Sequence, residues 1–435
     1  MEKIEKTLIA ATLLLIPTYL IKFTIFNIPT NVLEIFVLVN FVSYYLKRSS
    51  ASLDQNGPKR PNLGMSEFYK NNKIISWSVA AIFTGLLLST LLNDNWRAGF
   101  GVIKGWFVIP VLFSWLVYKS VKSEQDLKSV LTWLYSGIFG VSVTALGYYF
   151  AGILTYDGRL SGIYNSPNFL AMYASPAIII GIFLIKNAMR NVQNYSSKFK
   201  ILLLIISLVI ILCVCYLTYS YAAWAAVMLG LIITALMKNK KINRRAILVG
   251  LIIILLIIIS QWNTEKYGNL REFTRSSMES RIMIWKSAGK ILADNPVWGI
   301  GPGNFQSKYL EHQKYFPPYL EWAVPEPHNL YLAFWLHAGL PGIIGFLILI
   351  IKWLKDLSKN IKKQKNSEIS AVLLGIMLYI LIHGLVDTPY WKNDLSLVFW
   401  LIFFLGLRLN FNAINLSVDP VYEKEDSFRR REKNI

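Results

Sequence analysis

The sequence predicts an all-α fold: a polytopic membrane helical bundle of about twelve transmembrane helices with a helical outer loop. Three observations predict it. The 435 residues are 54% hydrophobic with mean hydropathy +0.43, more apolar than a soluble domain. The apolar residues come in runs of roughly 17–22, the length that crosses a bilayer core as a helix. The Lys and Arg residues cluster in short connections between those runs, which is the positive-inside pattern.

The net charge of +20 would point a soluble protein towards nucleic acid. Its distribution over short loops points instead to the membrane surface, and no nucleic-acid partner is expected. Cys213 and Cys215 lie inside one apolar run and read as small core residues, with no disulfide or metal framework. No cleavable leader is evident, and the first apolar segment reads as a retained helix.

The candidate spans lie near 7–26, 29–46, 74–92, 99–118, 129–150, 169–187, 201–218, 221–237, 246–260, 328–351, 369–386 and 395–411. Four regions follow: spans one to nine over 1–260, a long outer loop with short helices over 261–327, spans ten to twelve over 328–411, and a basic tail over 412–435. With the N-terminus in the cytoplasm, most basic residues fall inside, and both termini are cytoplasmic. The outside then holds tight turns (FNIPTN, NDNWRA, DTPYWKND), the segment 151–168 and the long loop. A loop of that length usually has a function.

Within the loop, Ser276 and Glu279 have capping-box spacing, so a helix begins there. Arg281, Trp285, Ala288 and Leu292 share one face, and Asn295-Pro296 ends the helix. Arg281 therefore points inward and needs an anionic partner. Its competing reading is a structural ion pair with Glu272, Glu279 or another carboxylate. The turn GIGPGN (299–304) can expose N–H groups to an anion through Gly301 and Gly303, or can be only a tight turn.

His328 stands at the lip of span ten in EPHNLYLAFWLHAGLPG. On a continuous helix His337 falls on the opposite side, and Gly339 returns beneath His328 about 16 Å deeper. A histidine above a glycine notch suits a headgroup outside and a chain within the bilayer. A neutral imidazole can take a proton from a hydroxyl. The competing reading is an interfacial histidine bonded to a loop carbonyl. The outer segments show no DxD pair, HExxH, GxSxG or phosphate-loop signature, so no metal is expected and arginines would supply positive charge to a phosphorylated lipid.

His328-Asn329 with Gly339, the block R-x3-W…NP-x-WGIGPGNF with Arg281 and Trp285, and RLSGIYNSPNFLA (159–171) resemble the O-antigen ligase/polymerase superfamily. Its members are bacterial lipid-linked glycan transferases. The resemblance covers most of the chain. It implies a GT-C-like bundle in the bacterial inner membrane with its active site on the periplasmic face. The donor would be an undecaprenyl-diphosphate-linked glycan, and the acceptor a glycolipid or glycan hydroxyl, such as the lipid A core of lipopolysaccharide. No cofactor or nucleotide sugar is implied. His328 would be the base and Arg281 would hold the diphosphate, with Asn329 supporting His328. The family often has Ser-Arg between spans seven and eight, whereas Ser220 is followed here by Tyr221. Arg159, Arg275 or Arg97 could supply the missing cation.

The expected function is therefore an O-antigen ligase-like transfer. A surface-polysaccharide polymerase using the same site is the alternative. A polysaccharide or lipid transporter fits less well, because few charges lie in the spans (Glu34 and Lys104) and no internal repeat is visible.

Overall fold

A computed structural model describes residues 3–26, 28–53, 68–70, 72–190, 192, 195–238, 259–260, 262, 268, 277–317, 323–362 and 367–410. The protein is a polytopic helical membrane protein. Helices fall on eleven of the twelve segments expected from the sequence, and nearly all of the ninth, 246–260, lies outside the described residues. Seven described helices are long and apolar enough to cross a membrane.

The chain opens with α1 (Lys3–Leu14), a 3-10 turn (Ile16–Leu20) and a hairpin of β1 (Lys22–Ile25) and β2 (Ile28–Asn31). This corrects the expectation of one helix over 7–26. Pro17 has no N–H to continue the helical ladder, and the β-branched, aromatic stretch after it pairs as strands. Then come α2 (Val32–Leu53), α3 (Lys73–Leu91) and α4 (Trp96–Ser120). The two span charges meet here. Lys104, in a π-helical turn of α4, lies 2.8 Å from the buried Glu34 of α2, and Thr30 and Asn31 donate to the same carboxylate. The pair ties the hairpin to the bundle.

Next are α5 (Glu124–Phe150), α6 (Pro167–Arg190), α7 (Tyr195–Leu217) and α8 (Tyr221–Lys238). Cys215 is buried on α7, while Cys213 faces outward. The long loop contributes α9 (Ser277–Asp294) and α10 (Phe305–His312). The bundle closes with α11 (Leu330–Lys362), α12 (Ser367–His383) and α13 (Asn393–Asn410). Leu397, Phe399, Leu401, Ile402 and Phe403 of α13 are all fully buried, so α13 is buried all round and occupies the core. By contrast, α7 turns Leu202, Leu203, Ile205 and Ile206 outward, as a lipid-facing helix does.

α11 is broken at Gly339, whose φ of 64° and ψ of −171° are not helical. Pro341 follows and cannot donate to the ladder. The long loop closes the gap: Ile300 N–H donates to Leu336 O and Leu340 N–H to Val297 O, each at 2.7 Å. A Cβ on Gly339 would sit 2.4 Å from Val297 O. The glycine notch therefore holds the loop backbone. This corrects the expected continuous face from His328 to Gly339, since α11 starts only at Leu330 and breaks at Gly339.

Candidate functional site

The site gathers at the end of the bundle that carries α9 and α10. It is built from the N-terminal lip of α11, the start of α9, the segment 151–166, the first turn of α6 and the 384–392 turn. Asn329 forms the lip. Its Oδ1 accepts the N–H groups of Tyr331 and Leu332 at 3.0 Å each, and its Nδ2 donates to Leu385 O at 2.9 Å. It is thus the N-cap of α11 and a tie to the 384–392 turn. His328, just before it, adopts φ 46°. That backbone costs on the order of 1–3 kcal/mol in a residue other than glycine and persists only where its surroundings hold it. Trp285 Nε1 does so by donating to His328 O at 3.2 Å.

The centre of the site is Asp387. Its Oδ1 lies 3.0 Å from His328 Nδ1 and accepts Thr388 N–H at 2.9 Å. Its Oδ2 receives Arg281 Nη2 at 3.3 Å and Asn168 Nδ2 at 3.1 Å. The Asp387 side chain is 2% exposed and that of Arg281 12%, while His328 is 31% exposed. Burial alone would raise the carboxyl's pKa. The charges and hydrogen bond of His328, then Arg281 and His383, outweigh it and hold Asp387 well below the usual carboxylate range. Asp387 is therefore an anion that fixes the imidazole through Nδ1. Nε2 has no hydrogen-bond partner among the described residues and is the ring nitrogen left for a ligand.

Arg281 is also fixed by its Nε, which donates to Val386 O at 2.6 Å. The expected face of α9 turns inward: Ala288 and Leu292 are buried, and Arg281 and Trp285 reach the site. A second guanidinium approaches from 151–166. Arg159 Nη2 donates to Asn168 Oδ1 at 2.7 Å and Arg159 Nε to Thr218 O at 2.8 Å. Leu160 N–H donates to Leu217 O. Arg159 thus docks on the α7–α8 turn, three residues before Tyr221. Tyr221 itself packs edge-on against Trp224 with ring centroids 5.2 Å apart.

Gly301 and Gly303 have φ of 77° and 84° and face helices. A Cβ would meet Ser89 O of α3 at 2.9 Å from Gly301, and Ala98 Cβ of α4 at 3.0 Å from Gly303. The turn serves close packing there. Arg275 lies outside the described residues. His337, on the buried side of α11, lies 3.0 Å from Glu326 and 3.3 Å from Gly301 O. His312 holds α9 to α10 through Asp294 at 3.2 Å. No cluster of three or more His, Cys, Asp or Glu side chains that could hold a metal ion occurs among the described residues.

Sequence reasoning missed Asp387 and Asn168 as site residues. Both stand in segments it had marked, DTPYWKND and RLSGIYNSPNFLA. The available signal for Asp387 was an acid in a short turn on the same side of the membrane as His328.

The fold and site define a class: a membrane helical bundle with an Asp–His pair and two guanidinium groups gathered at one end. Residues 206–347, about a third of the chain, match the family model described as O-antigen ligase. The matched segment includes α8, Arg281, His328 and Gly339. A protein of Rickettsia conorii named "Putative polysaccharide ligase" is 26% identical over 129 residues. That similarity covers 27% of this chain and 29% of the relative's length. The resemblance to the O-antigen ligase/polymerase superfamily read from the sequence motifs is borne out over this segment.

Proposed function

We propose that the protein is a ligase-type glycosyltransferase that moves a glycan from undecaprenyl diphosphate to an acceptor sugar hydroxyl at the outer face of the bacterial inner membrane. The observation that carries this reading is the His328–Asp387–Arg281 constellation, in which one carboxylate orients a base and a guanidinium together.

His328 Nε2 takes the proton of the acceptor hydroxyl, and that oxygen attacks the anomeric carbon of the donor. The bond from that carbon to the diphosphate oxygen breaks, and its electron pair leaves with the diphosphate. Arg281 stabilises the developing negative charge, and Arg159 adds a second cation. Asp387 and Asn329 act as positioning residues, the first through Nδ1 of His328 and the second through the cap of α11. The expected acceptor is a glycolipid or glycan, and Arg159 stands in for the arginine absent at Tyr221. Its dock on Thr218 O supports that role.

Purified protein in vesicles, given an undecaprenyl-diphosphate glycan and candidate acceptors, tests the reading. Glycan transfer with matching release of undecaprenyl diphosphate, lost in His328→Ala, supports it. Transfer that survives both His328→Ala and Arg281→Ala overturns the site. Product length separates preformed chains added once, as by a ligase, from a ladder of repeat units made by a polymerase.

A further inference from the structure

The end of the bundle away from the Asp387 centre carries a charge cluster that the proposed mechanism does not use. Three cations converge there on one carboxylate. Glu368, in the first turn of α12, lies 2.9 Å from Lys238 Nζ of α8, 2.5 Å from Arg190 Nη1 of α6 and 3.9 Å from Lys186 Nζ of the same helix. Lys238 takes Oε1 and Arg190 takes Oε2, which leaves Lys186 outside hydrogen-bond range. Among the described residues these four groups have no other ion pair, so the cluster keeps a net charge of +2.

The adjoining sequence holds nothing to remove that charge. Residues 186–200 join α6 to α7, residues 238–260 follow α8, and residues 357–368 lead from α11 into α12. Glu368 is the only Asp or Glu in all three stretches. The helices that carry the cluster are also the ones that build the site. α6, α8 and α12 pack on one another, and α6 and α12 lead at their other ends to Asn168 and the 384–392 turn, where Asn168 donates to Asp387 at 3.1 Å. The cluster therefore ties together, roughly 33 Å away along α6, the two helices that meet at the centre.

The surroundings of the cluster point to a lipid. Lys186 and Arg190 are each more than half exposed. Ile182 stands one turn before Lys186 on the same face of α6, and both Ile182 and Met189 are exposed. On α8, exposed Leu229, Ile232 and Leu236 run along the helix towards Lys238. An apolar surface that ends at uncompensated cations matches a hydrocarbon chain with an anionic head. A soluble anion would meet the cations and leave the apolar surface uncovered.

We propose that Lys186, Arg190 and Lys238 bind the headgroup phosphate of one anionic phospholipid from the leaflet at this end of the bundle, with Glu368 as the fixed counter-charge that arrays them. The phosphate oxygens accept charge-assisted hydrogen bonds from Lys186 Nζ and from the guanidinium N–H groups that Arg190 does not give to Glu368. An anionic lipid brings a full negative charge to this site, whereas a zwitterionic lipid brings no net charge. The bound lipid is a further tie between α6 and α12. This site is separate from the transferase centre and does not depend on that reading.

Native mass spectrometry of the full chain in neutral detergent tests the site, with phosphatidylglycerol and phosphatidylcholine of matched chains as probes. Wild type is expected to retain phosphatidylglycerol in preference to phosphatidylcholine. Lys186→Gln and Arg190→Gln should each weaken phosphatidylglycerol roughly fivefold and leave phosphatidylcholine unchanged. Glu368→Gln removes the competing anion and should bind phosphatidylglycerol at least as tightly as wild type. A folded Glu368→Gln variant that binds less of it would show a structural ion-pair network and overturn direct contact with the lipid. Should Glu368→Gln fail to elute like wild type, Lys186→Gln, on an exposed side chain outside hydrogen-bond range of Glu368, decides the question alone. Equal retention of the two lipids by wild type, or unchanged phosphatidylglycerol binding in Lys186→Gln, overturns the site. Displacement of the lipid by tripolyphosphate at equal concentration overturns the lipid as the occupant. None of these readouts uses glycan transfer, so the transferase reading stands or falls separately.

Discussion

His328 Nδ1 and Asp387 Oδ1 lie 3.0 Å apart, joining the lip of α11 to a turn 59 residues away. The contact fixes which ring nitrogen stays unpaired among the described residues, because the buried carboxylate accepts from Nδ1 and leaves Nε2 without a partner. Asp387→Asn is expected to reduce transfer by roughly 10²–10⁴-fold without changing the amount of protein in the membrane. Asp387→Glu should retain more activity than the asparagine variant. Initial rates with a lipid-linked glycan check this, and an asparagine variant within threefold of wild type would contradict it.

The same carboxylate gives an acid-stability expectation. Its pKa in the folded protein is depressed, by His328 and Arg281 against the opposing effect of burial. A group of that kind stabilises the fold above its unfolded pKa of about 4 and loses the contribution as pH falls towards the folded value. The thermal midpoint of wild type should therefore exceed that of Asp387→Asn fully at pH 5, with the gap narrowing below about pH 4. A gap that widens on acidification would show that Asp387 is not held as an anion.

Arg281 should not tolerate lysine. Its Nε and Nη2 make separate contacts, to Val386 O at 2.6 Å and Asp387 Oδ2 at 3.3 Å, and a single ammonium cannot reproduce that planar fork. Arg281→Ala is expected to cost roughly 10²–10³-fold in rate. Arg281→Lys should recover only a small part. Full recovery by lysine would show that a point charge is enough and that the fork has no role.

Gly339→Ala tests the break in α11. The added methyl would stand 2.4 Å from Val297 O at a φ of 64°, so both the backbone and the docked loop must move. The expected cost is roughly 2–4 kcal/mol, read as a lower thermal midpoint. Transfer should fall with it, because the same loop carries α9 and Arg281. A variant with wild-type stability would mean that the loop does not rest in this notch.

Much of the site was legible locally. The cap at Asn329, the inward face of α9 with Arg281, and the stop at Asn295-Pro296 all follow from short-range helix rules. Gly339 was legible as unusual, yet its role was misread. Helical phasing assumes an unbroken helix, and the Gly-Leu-Pro-Gly sequence breaks it. The hairpin at 22–31 was hidden for a related reason: a short apolar run has the composition of either strand or helix, and Pro17 decides which one forms.

Composition and the spacing of apolar runs by themselves determined a helical membrane bundle, because each span must satisfy its own backbone in hydrocarbon. Local motifs determined that His328 and Arg281 stand at helix ends near the long loop. Only the tertiary structure decided their partner. Asp387 lies 59 residues from His328 and 106 from Arg281, and Asn168 lies 219 from Asp387. No local rule reaches across such separations. Packing of the 384–392 turn against α6, α9 and the lip of α11 brings the charges together, and burial makes their pairing compulsory.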